Sequence, residues 1–301
     1  MRTEALLREL RRQLEDGGLH ASLLVRDLHT GEELGIDPDL RLPSASLVKV
    51  PLALATAERI RRGELDGADL LDVEPGRITT PGPTGISRFR HPVRIAIDDL
   101  LYLSTSLSDQ AAADALFALT PPARVAGMLA ELGIRGISVR HTVEELSDTP
   151  VERFDPDQVH LAHALAIDAG TSGRGHRVPQ LDVSRASSGS ARSYTDLLQA
   201  LWTPSAVHPE TAARVRTLMA NNVLRHRLAP DFTSDASTWS SKTGTLLNLR
   251  HEVGVVEHAD GQSFAVAVLT ESRVPAAAQP GAEALMAQVA RALRDHLRQL
   301  R

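Results

Sequence analysis

Lysine occurs only twice in the 301 residues, at Lys49 and Lys242, while the other 31 of the 33 basic residues are arginines. Arginine keeps a surface charged as well as lysine does, but its guanidinium stays protonated. Lysine is therefore retained where chemistry needs an amine that can lose a proton or act as a compact point charge. Ser46-Leu47-Val48-Lys49 sets a hydroxyl and an amine three residues apart at the start of an expected helix, on one face and close enough to hydrogen-bond. Serine is a weak nucleophile at neutral pH and needs a neighbour that takes its proton, which a lysine can do when burial or nearby cations lower its pKa. The helix start also offers free backbone N–H groups to a developing oxyanion. Alone, Ser-x-x-Lys is a common pattern of a capped helix with a solvated lysine, so the rest of the chain decides its meaning.

The second lysine lies in Ser241-Lys242-Thr243-Gly244-Thr245, on an expected strand. A lysine, a hydroxyl and a glycine in that order suit a wall that binds a carboxylate, the glycine letting a substrate backbone approach closely. The plain alternative is an ordinary edge lysine. Between the two lysines, Ser104-Thr105-Ser106-Leu107-Ser108-Asp109-Gln110 runs into an alanine-rich helix, where Asp109 is also a natural N-cap.

Periodicity supplies the elements that must position these groups. Leu6, Leu7, Leu10 and Leu14 mark one face of an opening helix that ends at Gly17-Gly18, and residues 20–27 and 31–36 read as a hairpin. An apolar helix is expected from Ser46 to about Arg62, with Pro51 in its early turns where a missing amide matters least. Helical patterns follow at 97–104, 109–119, 122–132, 156–169, 193–202 and 209–221, separated by loops at 72–92, 134–156 and 170–190. Strand patterns return at 237–243, 250–257 and 263–270, before a last helix over about 281–300. Strands at both ends with helices between imply an α+β fold of three layers, α/β/α. Its antiparallel sheet is built from both termini, with helices on its faces and an all-helical region inserted.

Taken in order, Ser-x-x-Lys, Ser-Asp-Gln and Lys-Thr-Gly resemble the signature set of the class A β-lactamases and related penicillin-recognising serine hydrolases, and the order of elements is similar over nearly the whole chain. The resemblance implies that Ser46 is the acylated nucleophile, Lys49 its activating partner, and Ser108 the group that passes a proton to the leaving group. It implies that Lys242 and Thr243 bind the substrate carboxylate, that Gln110, Gly244 and Thr245 also contact substrate, that the amides of Ser46 and Thr245 form the oxyanion hole, and that Arg250 on the next strand supplements the carboxylate site. Two departures stand out. Where the family carries a glutamate that activates the deacylating water, this chain has Arg140-His141-Thr142-Val143-Glu144-Glu145-Leu146-Ser147. Aligning on Glu145-Leu146 puts Val143 at the base position, and a slip of one residue puts Glu144 there, so Glu144 is the candidate base. Gln110 stands where the family has asparagine, and its longer amide is expected to shift the hydrogen bonds to the acyl side chain of a substrate and to Lys49.

Composition narrows the function classes. Hydrophobic residues at 42% and charged residues at 24% are ordinary for a globular chain, and 38 acidic against 33 basic residues give a net charge of -5, which disfavours nucleic acid and anionic membranes as partners. Cysteine is absent, which removes disulfides and thiolate chemistry. The N-terminus lacks the apolar stretch of a signal peptide, so the chain reads as cytoplasmic, or as exported if a leader has been removed. His160 and His163 stand at a metal-ligand spacing without a second pair, and Arg59, Arg61, Arg62 and Arg225-His226-Arg227 read as solvated basic patches. Trp202 and Trp239 read as core or site-lining aromatics.

The expected protein is a β-lactamase/transpeptidase-like serine hydrolase without metal or cofactor, acting as a monomer on a β-lactam or a related amide or ester. D-Ala-D-Ala peptidase, esterase, acyltransferase and a non-catalytic binding module are the alternatives. Residues 1–43 with 231–301 are expected to form the sheet domain and 44–230 a mainly helical domain, with the active site between them.

Overall fold

A computed structural model describes residues 3–75, 84–149, 151, 155–168, 175–203, 205–276 and 278–299. The first helix, α1 (Thr3–Asp16), buries Leu6, Leu10 and Leu14 and stops at Gly17-Gly18, where Gly18 takes a left-handed φ of 70°. There follow β1 (Leu19–Asp27), β2 (Glu33–Ile36), β3 (Arg41–Pro43), α2 (Lys49–Arg61), β4 (Leu70–Val73), β5 (Val93–Ala96), α3 (Ile97–Ser106), α4 (Gln110–Leu119) and α5 (Pro122–Glu131). The chain continues through α6 (Val143–Ser147), α7 (Val159–Asp168), β6 (Ser188–Ser190), α8 (Ala191–Trp202), α9 (Pro209–Ala220) and α10 (Ala229–Phe232). It ends with β7 (Ser237–Leu246), β8 (Leu249–His258), β9 (Ser263–Ser272) and α11 (Pro280–Gln299).

The main sheet is antiparallel throughout, in the order β2-β1-β9-β8-β7, and so is assembled from both ends of the chain as expected. Its central strands read as nearly continuous apolar runs because both faces are covered. On β9, Phe264, Val266 and Val268 pack into the layer of α1 and α11, while Ala265, Ala267 and Leu269 face α8 and the core of the helical region. β1 divides in the same way, with Leu23 and Val25 on one side and Leu24 on the other. Strand β7 is left at the edge, and that edge borders the helical region.

Three local departures from the periodic reading bear on the site. The helix expected from Ser46 begins instead at Lys49, after a 3₁₀ turn over Ala45–Val48 whose first residue, Ala45, has a left-handed φ of 47°. The expected loop at 134–156 contains α6, which is closed by a capping box: Thr142 Oγ1 accepts from the Glu145 amide and the Glu145 carboxylate accepts from the Thr142 amide. Two small ribbons, β3 with β6 and β4 with β5, brace the helical region and are too short to leave a period-2 signal. Leu300 and parts of the expected loops at 72–92, 134–156 and 170–190 lie outside the described residues.

Candidate active site

Ser46 sits in a tight turn held from both sides. The Ser44 amide donates to Ser187 O at 2.8 Å beside the β3–β6 ribbon, and the Leu47 amide donates to Ser44 O at 3.0 Å. Residues 42–58 are buried with the single exception of Ser46, which is half-buried and so open to a ligand. The left-handed Ala45 immediately before it is a non-glycine in a strained region, the kind of conformation that persists when the surrounding packing over-determines it.

Lys49, at the first turn of α2, is fully buried. Its Nζ donates to Ser108 O at 2.6 Å and lies 3.3 Å from Ser108 Oγ. Lys242, on β7, is also fully buried and donates to the same Ser108 Oγ at 2.9 Å and to Thr243 O at 2.8 Å. Three motifs far apart in the sequence, Lys242 lying 134 positions from Ser108 and Lys49 lying 59, thus meet at one hydroxyl. Burial lowers the pKa of Lys49 to about 8, against the opposing pull of Asp109 and Asp114. Burial also lowers Lys242 well below its ordinary value, with further repulsion from Lys49 and Arg227 and an opposing attraction from Glu252. The Ser46 hydroxyl differs from expectation. It has no hydrogen-bond partner among the described residues, because the Lys49 amine is drawn to the Ser108 carbonyl.

Ser108 itself is left-handed at φ 61°, and the buried Asp109 carboxylate fixes the stretch of chain around it. Asp109 accepts from the Ile86 amide at 2.5 Å, Ser87 Oγ at 2.6 Å and the Ala111 amide at 3.0 Å, so it caps α4 and ties the 85–88 turn to it. Gly85 is obligatory there: its φ is 68°, and a Cβ would collide with the Asp109 carboxylate. Gln110, half-buried at the start of α4, makes no side-chain hydrogen bond to Lys49; its backbone N–H donates to Ser87 Oγ at 3.1 Å.

Gly244 also has a packing task. A Cβ on it would stand 3.1 Å from Leu47 Cγ and 3.2 Å from Ser44 O, so its bare backbone lets β7 lie against the turn that carries Ser46. Thr243 is buried beside Lys242, and Thr245 is exposed at the same strand edge. Arg250, expected to supplement the carboxylate end, lies across from it on the neighbouring strand. The register pairs it with Thr245, and its guanidinium donates to Leu247 O at 2.6 Å and Leu249 O at 2.8 Å, with Glu283 of α11 at 3.9 Å. It is buried and engaged by the β7–β8 turn.

Arg227, from the triplet read as a solvated patch, also lies at this end. It is 3% exposed, and it donates to Thr245 Oγ1 at 2.6 Å, to Gly244 O and His251 O at 2.9 Å each, and to Glu283 at 2.9 Å. It lies in an irregular segment, where no period marks which residues turn inward. Arg61 and Arg62 likewise engage the buried Glu58, at 2.7 and 2.9 Å. Glu252 was also unforeseen, although an acid directly before the apolar run Val253-Gly254-Val255-Val256 of a central strand is a signal of a buried carboxylate. It accepts from Ser241 Oγ at 2.7 Å, Trp239 Nε1 at 2.8 Å and the Leu228 amide at 2.8 Å. On α6, Val143 is buried and its amide donates to Asp114 Oδ1 at 2.7 Å, while Glu144 is exposed.

The five-stranded antiparallel sheet carrying one buried lysine, and the helical region carrying the other, bring both amines to Ser108. The sequence model of the Beta-lactamase enzyme family matches residues 5–297, and the chain belongs to that family. The chain is 70% identical, over 310 residues covering 99% of each protein, to the β-lactamase regulatory protein BlaB of Streptomyces cacaoi. Among solved structures it is similar to a β-lactamase from Chitinophaga pinensis DSM 2588, with a TM-score of 0.78 at 16% identity over 97% of this chain and 99% of that one. It is also similar to a mutant of PBP-A in an acyl-enzyme complex with penicillin G, with a TM-score of 0.76 at 17% identity over 98% of this chain and 97% of that one.

Proposed function

We propose that this protein forms a long-lived acyl-enzyme on Ser46 with β-lactams or related carboxylate-bearing amides, and that it serves as a receptor for them more than as a fast hydrolase. The observation that carries this reading is the convergence of Lys49 and Lys242 on Ser108, with the turn that carries Ser46 packed against Gly244 of β7. Neutral Lys49 takes the proton as Ser46 Oγ attacks the amide carbonyl, and Ser108 returns a proton to the nitrogen as the C–N bond breaks. The Ser46 and Thr245 amides would stabilise the oxyanion, while Lys242, Thr243 and Thr245, backed by Arg227, would hold the ligand's carboxylate. Gln110 would face the acyl side chain. Release requires a base for water, and buried Val143 with exposed Glu144 supports slow release. The regulatory relative supports a signalling role for such an adduct. In this reading the sheet domain (1–43 with 231–301) and the helical domain (44–230) form the two walls of the cleft.

Intact-protein mass measured over time after mixing with a penicillin and a cephalosporin tests the proposal, with Ser46→Ala alongside. An adduct that outlasts the free drug and is absent from Ser46→Ala is expected. Rapid turnover without a persisting adduct would make the protein a β-lactamase and return Glu144 to the base role. The unpartnered Ser46 hydroxyl favours a second reading, a non-covalent binding module, which predicts saturable binding with no adduct.

A further inference from the structure

We propose that His251 is a positioning residue for Ser46: its ring ties β8 to the peptide unit that precedes the nucleophile turn, and so sets where the Ser46 hydroxyl and amide stand relative to β7. The proposal deepens the acyl-enzyme reading and rests on it for the effect on rate.

The peptide that joins Pro43 to Ser44 is held at both ends. Its N–H, on Ser44, donates to Ser187 O at 2.8 Å, and its carbonyl oxygen, on Pro43, accepts from His251 Nε2 at 2.9 Å. The ring can donate there because its other nitrogen is taken: Nδ1 accepts the Thr270 amide of β9 at 3.1 Å, which leaves the hydrogen on Nε2. His251 is wholly buried, so no water replaces either bond. The register sets His251 opposite Gly244, and a Cβ on Gly244 would stand 3.2 Å from Ser44 O and 3.3 Å from His251 Cβ. The imidazole, the bare backbone of β7 and the Ser46 turn therefore meet in one place. A peptide pinned at both its N–H and its carbonyl cannot rotate about the chain. Released at the carbonyl, it can, and the rotation passes to the left-handed Ala45 and from there to Ser46. The next carbonyl, Ser44 O, accepts the Leu47 amide at 3.0 Å, so the same rotation loosens the turn on the far side of Ser46.

Glutamine and asparagine each reproduce one half of the imidazole. The glutamine Nε2 keeps a donor for Pro43 O, while the asparagine Oδ1 keeps an acceptor for the Thr270 amide and gives up the tie. Full-length His251→Gln and His251→Asn are compared with the wild type by melting temperature, by the dissociation constant and maximal acylation rate with penicillin G, and by hydrogen exchange at the Leu47 amide. His251→Gln is expected to acylate at close to the wild-type rate. His251→Asn is expected to acylate about tenfold or more slowly at saturating drug, with the dissociation constant unchanged and the Leu47 amide exchanging faster. Equal slowing in the two variants, or slowing that follows the melting temperature, would overturn the proposal and leave His251 as a packing group. Slowed acylation in folded His251→Gln would overturn it too, which decides the matter if His251→Asn does not fold. Leu47 exchange is read without drug, so a wild type that forms no Ser46 adduct would sink the acyl-enzyme reading, whereas unchanged exchange in His251→Asn would sink the tie.

Discussion

With its amine sealed from solvent and its pKa lowered to about 8, Lys49 is neutral in about a tenth of the molecules at pH 7. Acylation should therefore accelerate from pH 6 to about 8 and then level off. Lys49→Ala and Lys49→Arg should each slow it by about 10²- to 10⁴-fold, the arginine variant failing because a guanidinium cannot accept the proton. Stopped-flow acylation rates across that range check both statements. His251 makes a second prediction at this scale. It is fully buried; its Nε2–H donates to Pro43 O at 2.9 Å and its Nδ1 accepts the Thr270 amide at 3.1 Å, so only the neutral ring fits. Burial lowers its pKa to about 4, below the value of the unfolded chain. The stability it contributes is complete above pH 6.5 and is lost as pH falls through 4, at most about 3 kcal/mol. Urea unfolding at pH 7 and about pH 4.5 measures this, and a His251→Gln variant, which can keep the Pro43 bond, should lose that part of the acid sensitivity.

At the scale of elements, the site depends on how closely β7 lies to the Ser44–Leu47 turn and on what α6 presents to the cleft. Gly244→Ala would place a methyl group 3.2 Å from a backbone carbonyl, so the strand must withdraw by a few tenths of an ångström. The expected outcome is a folded protein with acylation slowed about tenfold or more, since small misplacements of reacting groups are costly. Wild-type acylation in that variant would show that the strand approaches the turn without consequence. On α6, Val143→Glu puts a carboxylate at the buried position against Asp114. The adduct lifetime should fall by about tenfold or more as water gains a base, and the melting temperature should drop because two carboxylates then share a buried pocket. An unchanged lifetime would mean that residue 143 does not face the acyl carbonyl.

Across the whole molecule, Arg227 joins three elements that the sequence separates: its guanidinium bonds Gly244 and Thr245 of β7, His251 of β8 and Glu283 of α11. Removing one partner of such a buried pair leaves the other charge uncompensated, so Arg227→Met should cost about 3 to 5 kcal/mol, or roughly 6 to 15 °C in melting temperature. Calorimetry decides it; a shift within about 2 °C would mean that the pair contributes nothing net. Among the described residues no helix is long and apolar enough to cross a membrane.

Residue types and their spacing were enough to select Ser46, Lys49, Ser108 and Lys242, because rarity of lysine and the order of short motifs are properties of the chain itself. Hairpins, amphipathic helices and the two-ended sheet were legible for the same reason: their periods of 2 and 3.6 are local. Tertiary structure alone decided the rest. The burial of Arg227, the engagement of Arg250 by the β7–β8 turn, the left-handed Ala45 before Ser46, and the choice of Val143 over Glu144 for the buried position all depend on distant partners. So does the lowered pKa of both lysines, since desolvation is set by how many atoms of other elements surround a charge, and no local pattern encodes that number.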